Sequence, residues 1–255
     1  FLAERYSWPP PPISVLIRFA QMGESSVDEK MRPLLMPYPE IELSSLIRVA
    51  RVDVTLRLPA DYPEGQKILQ DIAGQTCGQF KDYVYECKEY FGPSRPSPLE
   101  LEEVVSGLLR TRKQTMAAAE SCTGGLLSTW ITDFAGSSDV FLGGVVSYHN
   151  SLKENLLGVL PETLDRTGAV SEETVREMVE GVLRVTGADW GVAISGVAGP
   201  SGGTQDKPVG LVCIAVGNRL RIDTHRYEFP GGRDAVRERA AVTALRLLWL
   251  RLLER

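Results

Sequence analysis

Hydrophobic and polar positions divide the chain into two differently patterned stretches. From Ile13 to Tyr90, short apolar runs alternate with polar ones. ISVLIRFA predicts a strand, Ser25 to Leu35 a helix, SSLIRVARVDVTLRLPA a strand or a pair of strands, and Glu64 to Gln79 a second helix. The strict alternation in RVDVTLRL is that of a half-buried sheet, so residues 13–90 are expected to form a small α+β domain.

After Pro98 the pattern changes to longer helices alternating with fully apolar strands. Leu99 to Thr111 repeats its apolar residues at helical spacing, TMAAAES reads as a buried strand, and GGLLSTWITDFAG as a helix closed by Gly136. GGVVSY follows as a strand and SLKENLLG as a short helix. Ser171 to Thr186 forms a longer helix with a serine cap and a glutamate run at its start. WGVAISGVAG, VGLVCIAVG and IDTHRYEF are three further strands, and Asp234 to Leu253 is a final helix. Such alternation predicts an α/β domain over residues 99–255, a three-layer α/β/α arrangement around a mixed sheet.

Two proline clusters punctuate this pattern. FGPSRPSP, within residues 91–98, cannot continue a helix or a sheet and is expected to be a linker. WPPPP closes residues 1–12, which read as the remnant of another linker, so the chain is expected to be a fragment of a longer protein.

Composition narrows the classes. The 255 residues are 43% hydrophobic, enough for one ordinary core or two smaller ones. The longest apolar stretches are too short or too interrupted by arginine to span a bilayer, and no secretory signal is visible. The net charge of -5 is spread without a basic excess, so neither nucleic acid nor a membrane is an expected partner. Cys77, Cys87, Cys122 and Cys213 make no C-x-x-C pairing, and His149 and His225 stand away from them. No metal site or disulfide framework is expected, and a cytoplasmic location fits.

Four segments carry candidate chemistry. In AESCTGG, Ala119 to Gly125, an apolar strand runs into small residues and then a helix. Its amides, with the Ser121 and Thr123 hydroxyls and the close approach allowed at Gly124, could bind a phosphate or carboxylate, or simply cap the helix. Cys122 in the same segment could be a nucleophile or only a small buried side chain. In GSSD, Ser138 begins an expected helical turn, with Tyr148 and Lys153 following. Lys153 lies in the first turn after Asn150, read as the N-cap, where the helix dipole opposes a positive charge and lowers the lysine pKa. A neutral lysine beside a serine hydroxyl is one way to make a nucleophile without histidine. His149 alternates with Tyr148 on the expected strand, facing away from it.

The third segment, ISGVAGPSGG, ends an apolar strand in a glycine-rich loop, where Ser195, Gly196 and Gly199 let a backbone approach a ligand. In the fourth, GGRDAVRER, Arg233 and Arg237 share one face of a helix start. Arginine there opposes the dipole unless an anion sits nearby, either a substrate phosphate or a glutamate such as Glu238 or Glu228.

Together, AESCTGG, FAGSS, GGVVSYHNSLKENLLGV, GAVSEETVREM, the SGVAGPSGG loop with its KPVG, and GGRDAVRERA resemble the carboxy-terminal domain of the CinA family, the competence/damage-inducible proteins. The resemblance covers Pro98 to the end. It implies a metal-free, cofactor-free amidase that converts nicotinamide mononucleotide to nicotinate mononucleotide and ammonia. It further implies Ser138 as nucleophile, Lys153 as general base and Tyr148 as assisting hydroxyl, with Ser121, Thr123, Gly124, Ser195, Gly196, Gly199, Arg233 and Arg237 around the substrate. Backbone amides of Gly136 to Asp139, or of the Gly196 to Gly199 loop, would hold the oxyanion.

Residues 13–90 resemble the KH-type connecting domain of full-length CinA proteins. Residues 1–255 are expected not to include their larger molybdopterin-binding-like amino-terminal domain. Gly74 to Gly78 lacks the basic residues of a nucleic-acid-binding GxxG loop. A homodimer is expected. The alternative function is a nucleotide-binding regulatory module, with little turnover, in a competence or DNA-damage response.

Overall fold

The structure, a computed structural model, describes residues 10–92 and 97–254. The start of the first proline cluster and the centre of the second, residues 93–96, lie outside the described residues. The chain divides into two compact units, Phe1–Leu99 and Glu100–Arg255.

In the first unit, strand β1 (Ile13–Ala20), helix α1 (Glu24–Leu35), strands β2 (Glu42–Arg48) and β3 (Arg51–Leu58), helix α2 (Gly65–Gln79) and strand β4 (Val84–Tyr90) follow in order. The strands form one antiparallel sheet, ordered β2-β3-β1-β4. This is the split β-α-β-β-α-β arrangement of ferredoxin-like units. Val15, Ile17 and Phe19 pack with Val27, Met31, Leu69 and Ile72 in the core between sheet and helices. Strand β4 was not among the expected elements. Its sequence, VYECKEY, interleaves charge with aromatic residues and lies at the sheet edge, so it carries little of the apolar signal that marks a buried strand. Gly74 and Gly78 both lie inside α2, so they form no exposed loop.

The second unit contains helix α3 (Leu101–Arg112), strand β5 (Met116–Glu120), helix α4 (Leu126–Thr132), strand β6 (Phe141–Val146), helices α5 (Asn150–Leu157), α6 (Pro161–Thr167) and α7 (Glu172–Thr186), strands β7 (Trp190–Gly196), β8 (Leu211–Gly217) and β9 (Ile222–Glu228), and helix α8 (Arg233–Leu253). The sheet is mixed, ordered β6-β5-β7-β8-β9. Strands β6, β5 and β7 are parallel, and β8 and β9 return antiparallel. Ala117, Ala119, Ala193, Cys213 and Ala215 present one face of the sheet to Val175, Met178, Val179 and Val182 of α7. The intervening strand residues face the other way, where α8 packs on β7 and β8, and the unit is the expected three-layer α/β domain.

Helix α7 starts where its sequence signals place it, with the Ser171 hydroxyl accepting from the Thr174 amide at 3.1 Å. Three local expectations change. The α4 helix stops at Thr132, so Gly136 does not close it; instead Ser137–Asp139 form one turn of 3-10 helix. Strand β6 ends at Val146, which leaves Tyr148 and His149 beyond the strand instead of alternating on it. The cap of α5 is His149, whose Nδ1 accepts from the Ser151 amide at 3.2 Å, and Asn150 is the first helical residue. No helix among the described residues is long and apolar enough to cross a membrane.

Candidate functional site

Strand β5 is central among the parallel strands. The chain leaves its C-terminal end through α4 towards β6 on one side, and β7 arrives on the other side after α5, α6 and α7. Ligand crevices in open α/β sheets form at such points, outside the carboxyl ends of strands whose connections diverge. The turn Ser121 to Gly125 fills this position. The Ser121 amide donates to Ile194 O on β7 at 2.9 Å, and the Ser147 amide to Glu120 O at 2.8 Å, so the turn lies between the ends of β6 and β7.

Glu120, the last residue of β5, holds the turn in shape. Its carboxylate is fully buried and accepts from the amides of Gly125 (3.0 Å), Leu127 (3.1 Å) and Ser128 (2.9 Å) and from the Ser128 hydroxyl (2.6 Å). These amides open α4 and would otherwise lack intrahelical partners. Gly124 and Gly125 take positive φ, 61° and 93°, which the tight reversal into the helix requires. Glu120 was not singled out in the sequence. The available signal was a glutamate ending an otherwise apolar strand, MAAAE, with no lysine or arginine at strand spacing to pair with it.

Lys153 comes from α5 and is 1% exposed. Its Nζ donates to Ser121 Oγ at 3.1 Å, to Ser147 O at 2.7 Å and to Tyr148 O at 3.4 Å. No carboxylate pairs with it among the described residues, and burial pushes its ammonium below the ordinary lysine value. Helix packing sets its depth. A Cβ on Gly181 of α7 would lie 2.0 Å from Leu157 O, so α5 reaches its position only because α7 carries glycine there. The Oγ1 of Thr123 and the Oγ of Ser147 are buried and have no protein partner among the described residues.

The arginines of α8 close the other side. Arg233 donates to Gly199 O and to the Tyr148 hydroxyl, each at 2.9 Å, and Arg237 donates to Thr123 O at 2.9 Å. Neither Glu228 nor Glu238 takes up these guanidiniums in a salt bridge; Arg237 makes only a 3.6 Å contact with Asp234. The Ser195 hydroxyl donates to Ala169 O at 2.7 Å, a bond that ties β7 to the loop before α7. A Cβ on Gly196 would lie 3.1 Å from Cys122 Sγ, so this glycine admits the Cys122 side chain. Cys122 is 5% exposed, and burial pushes its thiol up to about 12, which leaves almost no thiolate near neutral pH.

Thus Ser121, Thr123, Gly124, Tyr148, Lys153, Gly199, Arg233 and Arg237 are linked into one cluster beyond the C-terminal ends of the parallel strands, with Ser195 and Gly196 at its β7 edge. Ser138 does not join them within one chain. Its 3-10 turn precedes β6, and the Met116 amide at the start of β5 donates to Val140 O at 2.7 Å. Ser138 therefore sits at the N-terminal end of the parallel strands, whereas Ser121 and Lys153 sit beyond their C-terminal end. The five residues of β5 alone put roughly 16 Å between the two ends. Arg110 lies at the Ser138 end, donating to Gly136 O at 3.0 Å and approaching Asp139 at 3.6 Å. The expected Ser138–Lys153 pair is thus replaced, inside one chain, by Ser121–Lys153. Ser138 and Lys153 flank strand β6 and so emerge at its opposite ends. No group of three or more His, Cys, Asp or Glu side chains able to hold a metal is assembled among the described residues.

Comparison with known proteins agrees with this architecture. Residues 99–252 match the CinA C-terminal domain. A CinA-like protein of Thermotoga maritima is 38% identical over 244 residues, covering 96% of this chain and 57% of that protein. A putative competence-damage inducible protein of Thermoanaerobacter pseudethanolicus is 40% identical over 235 residues, covering 91% and 54%. The chain thus spans little more than half the length of these relatives. Among solved structures, a CinA superfamily protein of Klebsiella pneumoniae aligns with a TM-score of 0.58 and 38% identity, over 60% of this chain and 98% of that one. A competence/damage inducible protein of Agrobacterium tumefaciens aligns with a TM-score of 0.57 and 38% identity, over 63% and 100%. With its C-terminal domain matched over residues 99–252, the chain belongs to the CinA family.

Proposed function

We propose that residues 100–255 form an amidohydrolase that removes ammonia from the carboxamide of a nicotinamide-type nucleotide, nicotinamide mononucleotide being the expected substrate, in the cytoplasm and without a metal or cofactor. The observation that carries this reading is the Lys153 amine, buried without a carboxylate and 3.1 Å from the Ser121 hydroxyl. An amine held below its ordinary pKa can take a hydroxyl proton as the oxygen attacks a carbonyl. In this reading Ser121 attacks the carboxamide carbon and Lys153 accepts its proton. The protonated amine then returns a proton to the departing ammonia, with the Tyr148 hydroxyl assisting. Water hydrolyses the resulting ester. The unpartnered Thr123 hydroxyl is a candidate donor to the oxyanion, and Arg233 and Arg237 suit the nucleotide phosphate.

A second reading keeps Ser138 as nucleophile and requires a homodimer. Strand β6 is a sheet edge with exposed Leu142 and Val146, followed by exposed Tyr148, Leu152 and Leu156. Antiparallel pairing of two β6 edges about Gly143 and Gly144 would set Ser138 of one copy across from His149 of the other. An ammonia-release assay with nicotinamide mononucleotide on Ser121→Ala, Ser138→Ala and Lys153→Ala separates the readings. The first expects Ser121→Ala to be inactive and Ser138→Ala active. The second expects Ser138→Ala and Lys153→Ala to be inactive alone and to regain activity when co-assembled. Binding of the nucleotide by wild-type protein without ammonia release supports the regulatory module instead and overturns both.

A further inference from the structure

Outside the crevice, the first unit brings two of the chain's four cysteines together. Cys77 lies in the last turns of α2 and Cys87 in the middle of β4, and their thiols face each other closely enough to interact. Neither is in a disulfide. The contact follows from how helix and strand are aligned. Gln70, two helical turns before Cys77 on the same stripe of α2, donates to Glu89 Oε2 at 2.9 Å. Glu89 lies two residues after Cys87, on the same face of β4. Two facing pairs, 70 with 89 and 77 with 87, therefore define one helix-on-strand seam. Cys87 also pairs with Ile17 in the sheet, and Ile17 belongs to the core beneath α2.

The two thiols differ in chemistry and in access from the other pair. Cys122 and Cys213 are buried, and burial pushes both thiols up. Cys87 is exposed and Cys77 half-buried, so a small solute reaches the contact. The hydrogen bond from the Cys87 thiol holds Cys77 down to about 7, whereas Cys87 is pushed well above the ordinary thiol value because it keeps the proton it donates. One sulfur is thus prepared to attack and the other to remain protonated beside it.

We propose that Cys77 and Cys87 are a dithiol modification site that a hydroperoxide closes to an intramolecular disulfide, with Cys77 as the attacking and Cys87 as the resolving sulfur. In the first step the Cys77 thiolate attacks one peroxide oxygen and the O–O bond breaks. Cys77 becomes a sulfenic acid, and the departing oxygen takes a proton and leaves as water or an alcohol. In the second step Cys87 gives up its proton and attacks the Cys77 sulfur. The S–O bond breaks, the hydroxide leaves as water with that proton, and the S–S bond forms. Two thiols lose two electrons in total, and one hydroperoxide gains them. Thiols that face each other across this helix-on-strand seam are placed to reach bonding geometry largely by side-chain rotation. The product fastens the end of α2 to β4 across a short loop and is expected to raise the melting temperature of the first unit by about 5–10 °C.

The test treats the reduced full chain with hydrogen peroxide, then maps peptides by mass spectrometry with dimedone present. Wild-type protein is expected to yield a peptide linking Cys77 to Cys87, to lose only those two thiols, and to recover both on reduction. Cys87→Ser is expected to accumulate dimedone-trapped Cys77, and Cys77→Ser to react about tenfold more slowly at Cys87. The melting-temperature rise should appear only in the oxidised wild type. The proposal is overturned if wild-type Cys77 passes to sulfinic acid without linking, if the bridge joins two chains, or if Cys77→Ser consumes peroxide as fast as wild type.

Discussion

Each unit buries a cation, and the two are treated in opposite ways. Arg18 and Lys153 are both 1% exposed. In the first unit the Arg18 guanidinium forms a two-pronged pair with Asp53, Nε to Oδ1 and Nη2 to Oδ2 at 3.0 Å each. It also donates to Leu99 O, and Glu86 stands 3.9 Å away. In the second unit Lys153 meets one hydroxyl and two carbonyls. A planar, permanently charged group matched by a carboxylate stays ionised and serves to fix neighbouring strands. An amine given only uncharged oxygens pays for its burial by losing affinity for its proton, which is the property a base at neutral pH requires. The same degree of burial therefore accompanies a structural tie in one unit and, in the proposed function, a base in the other.

The most severe way to break this comparison is to remove the amine. Lys153→Met is expected to lower kcat for ammonia release by about 10²- to 10⁴-fold, the usual contribution of a positioned base. Because the methionine no longer carries a charge into a buried site that has no carboxylate, the variant should also melt at a higher temperature than wild type. A lower melting temperature would show that Lys153 is a structural tie after all. Next in size, Asp53→Ala leaves Arg18 buried without its carboxylate and is expected to cost about 3–5 kcal/mol in urea unfolding of the first unit. A loss under about 1 kcal/mol would mean that Glu86 or solvent replaces Asp53.

Glu120→Gln sharpens the second half of the comparison. It turns an acceptor toward the α4 amides into a partial donor and should cost about 1–3 kcal/mol of stability in the second unit. Activity should fall along with it, because the turn that carries Ser121 loses its support. The smallest effect concerns pH. The folded chain releases the Lys153 proton below the ordinary value of 10.5, so between that lowered value and 10.5 the unfolded chain binds more protons. Stability contributed at this position therefore rises with pH across that window. The gap in melting temperature between Lys153→Met and wild type should be widest on the acid side of the window and narrow towards its upper end.

Much of the fold was legible because periodicity and caps act locally. The strand ISVLIRFA coincides with β1, and the Ser171 cap with its two glutamates marks the start of α7. Strand β4 and helix α6 carry no clear periodic signal, the first for its charged alternation and the second because PETLDRT has too few apolar residues to show a period. The segments that meet beyond the C-terminal ends of the parallel strands were legible too, as apolar strands running into small residues and glycines. What they do to one another was not. The cap of α5 moved from Asn150 to His149, which makes Lys153 the fourth helical residue, its amide already bonded to His149 O.

The sequence by itself determined that residues 100–255 alternate strands and helices, that Lys153 sits near a helix start, and that Ser121 follows an apolar strand while Arg233 and Arg237 share one face of a helix start. These are local properties, set by spacing, capping and the helix dipole within a few residues. Only the tertiary structure decided which hydroxyl that lysine meets. Parallel pairing of β5 with β6 places Ser121 and Lys153 at one end of the sheet and Ser138 at the other. The glycine at position 181 lets α5 settle deeply enough to bury the amine. Strand direction and helix depth are relations between elements far apart in the chain, and no spacing along the chain encodes them.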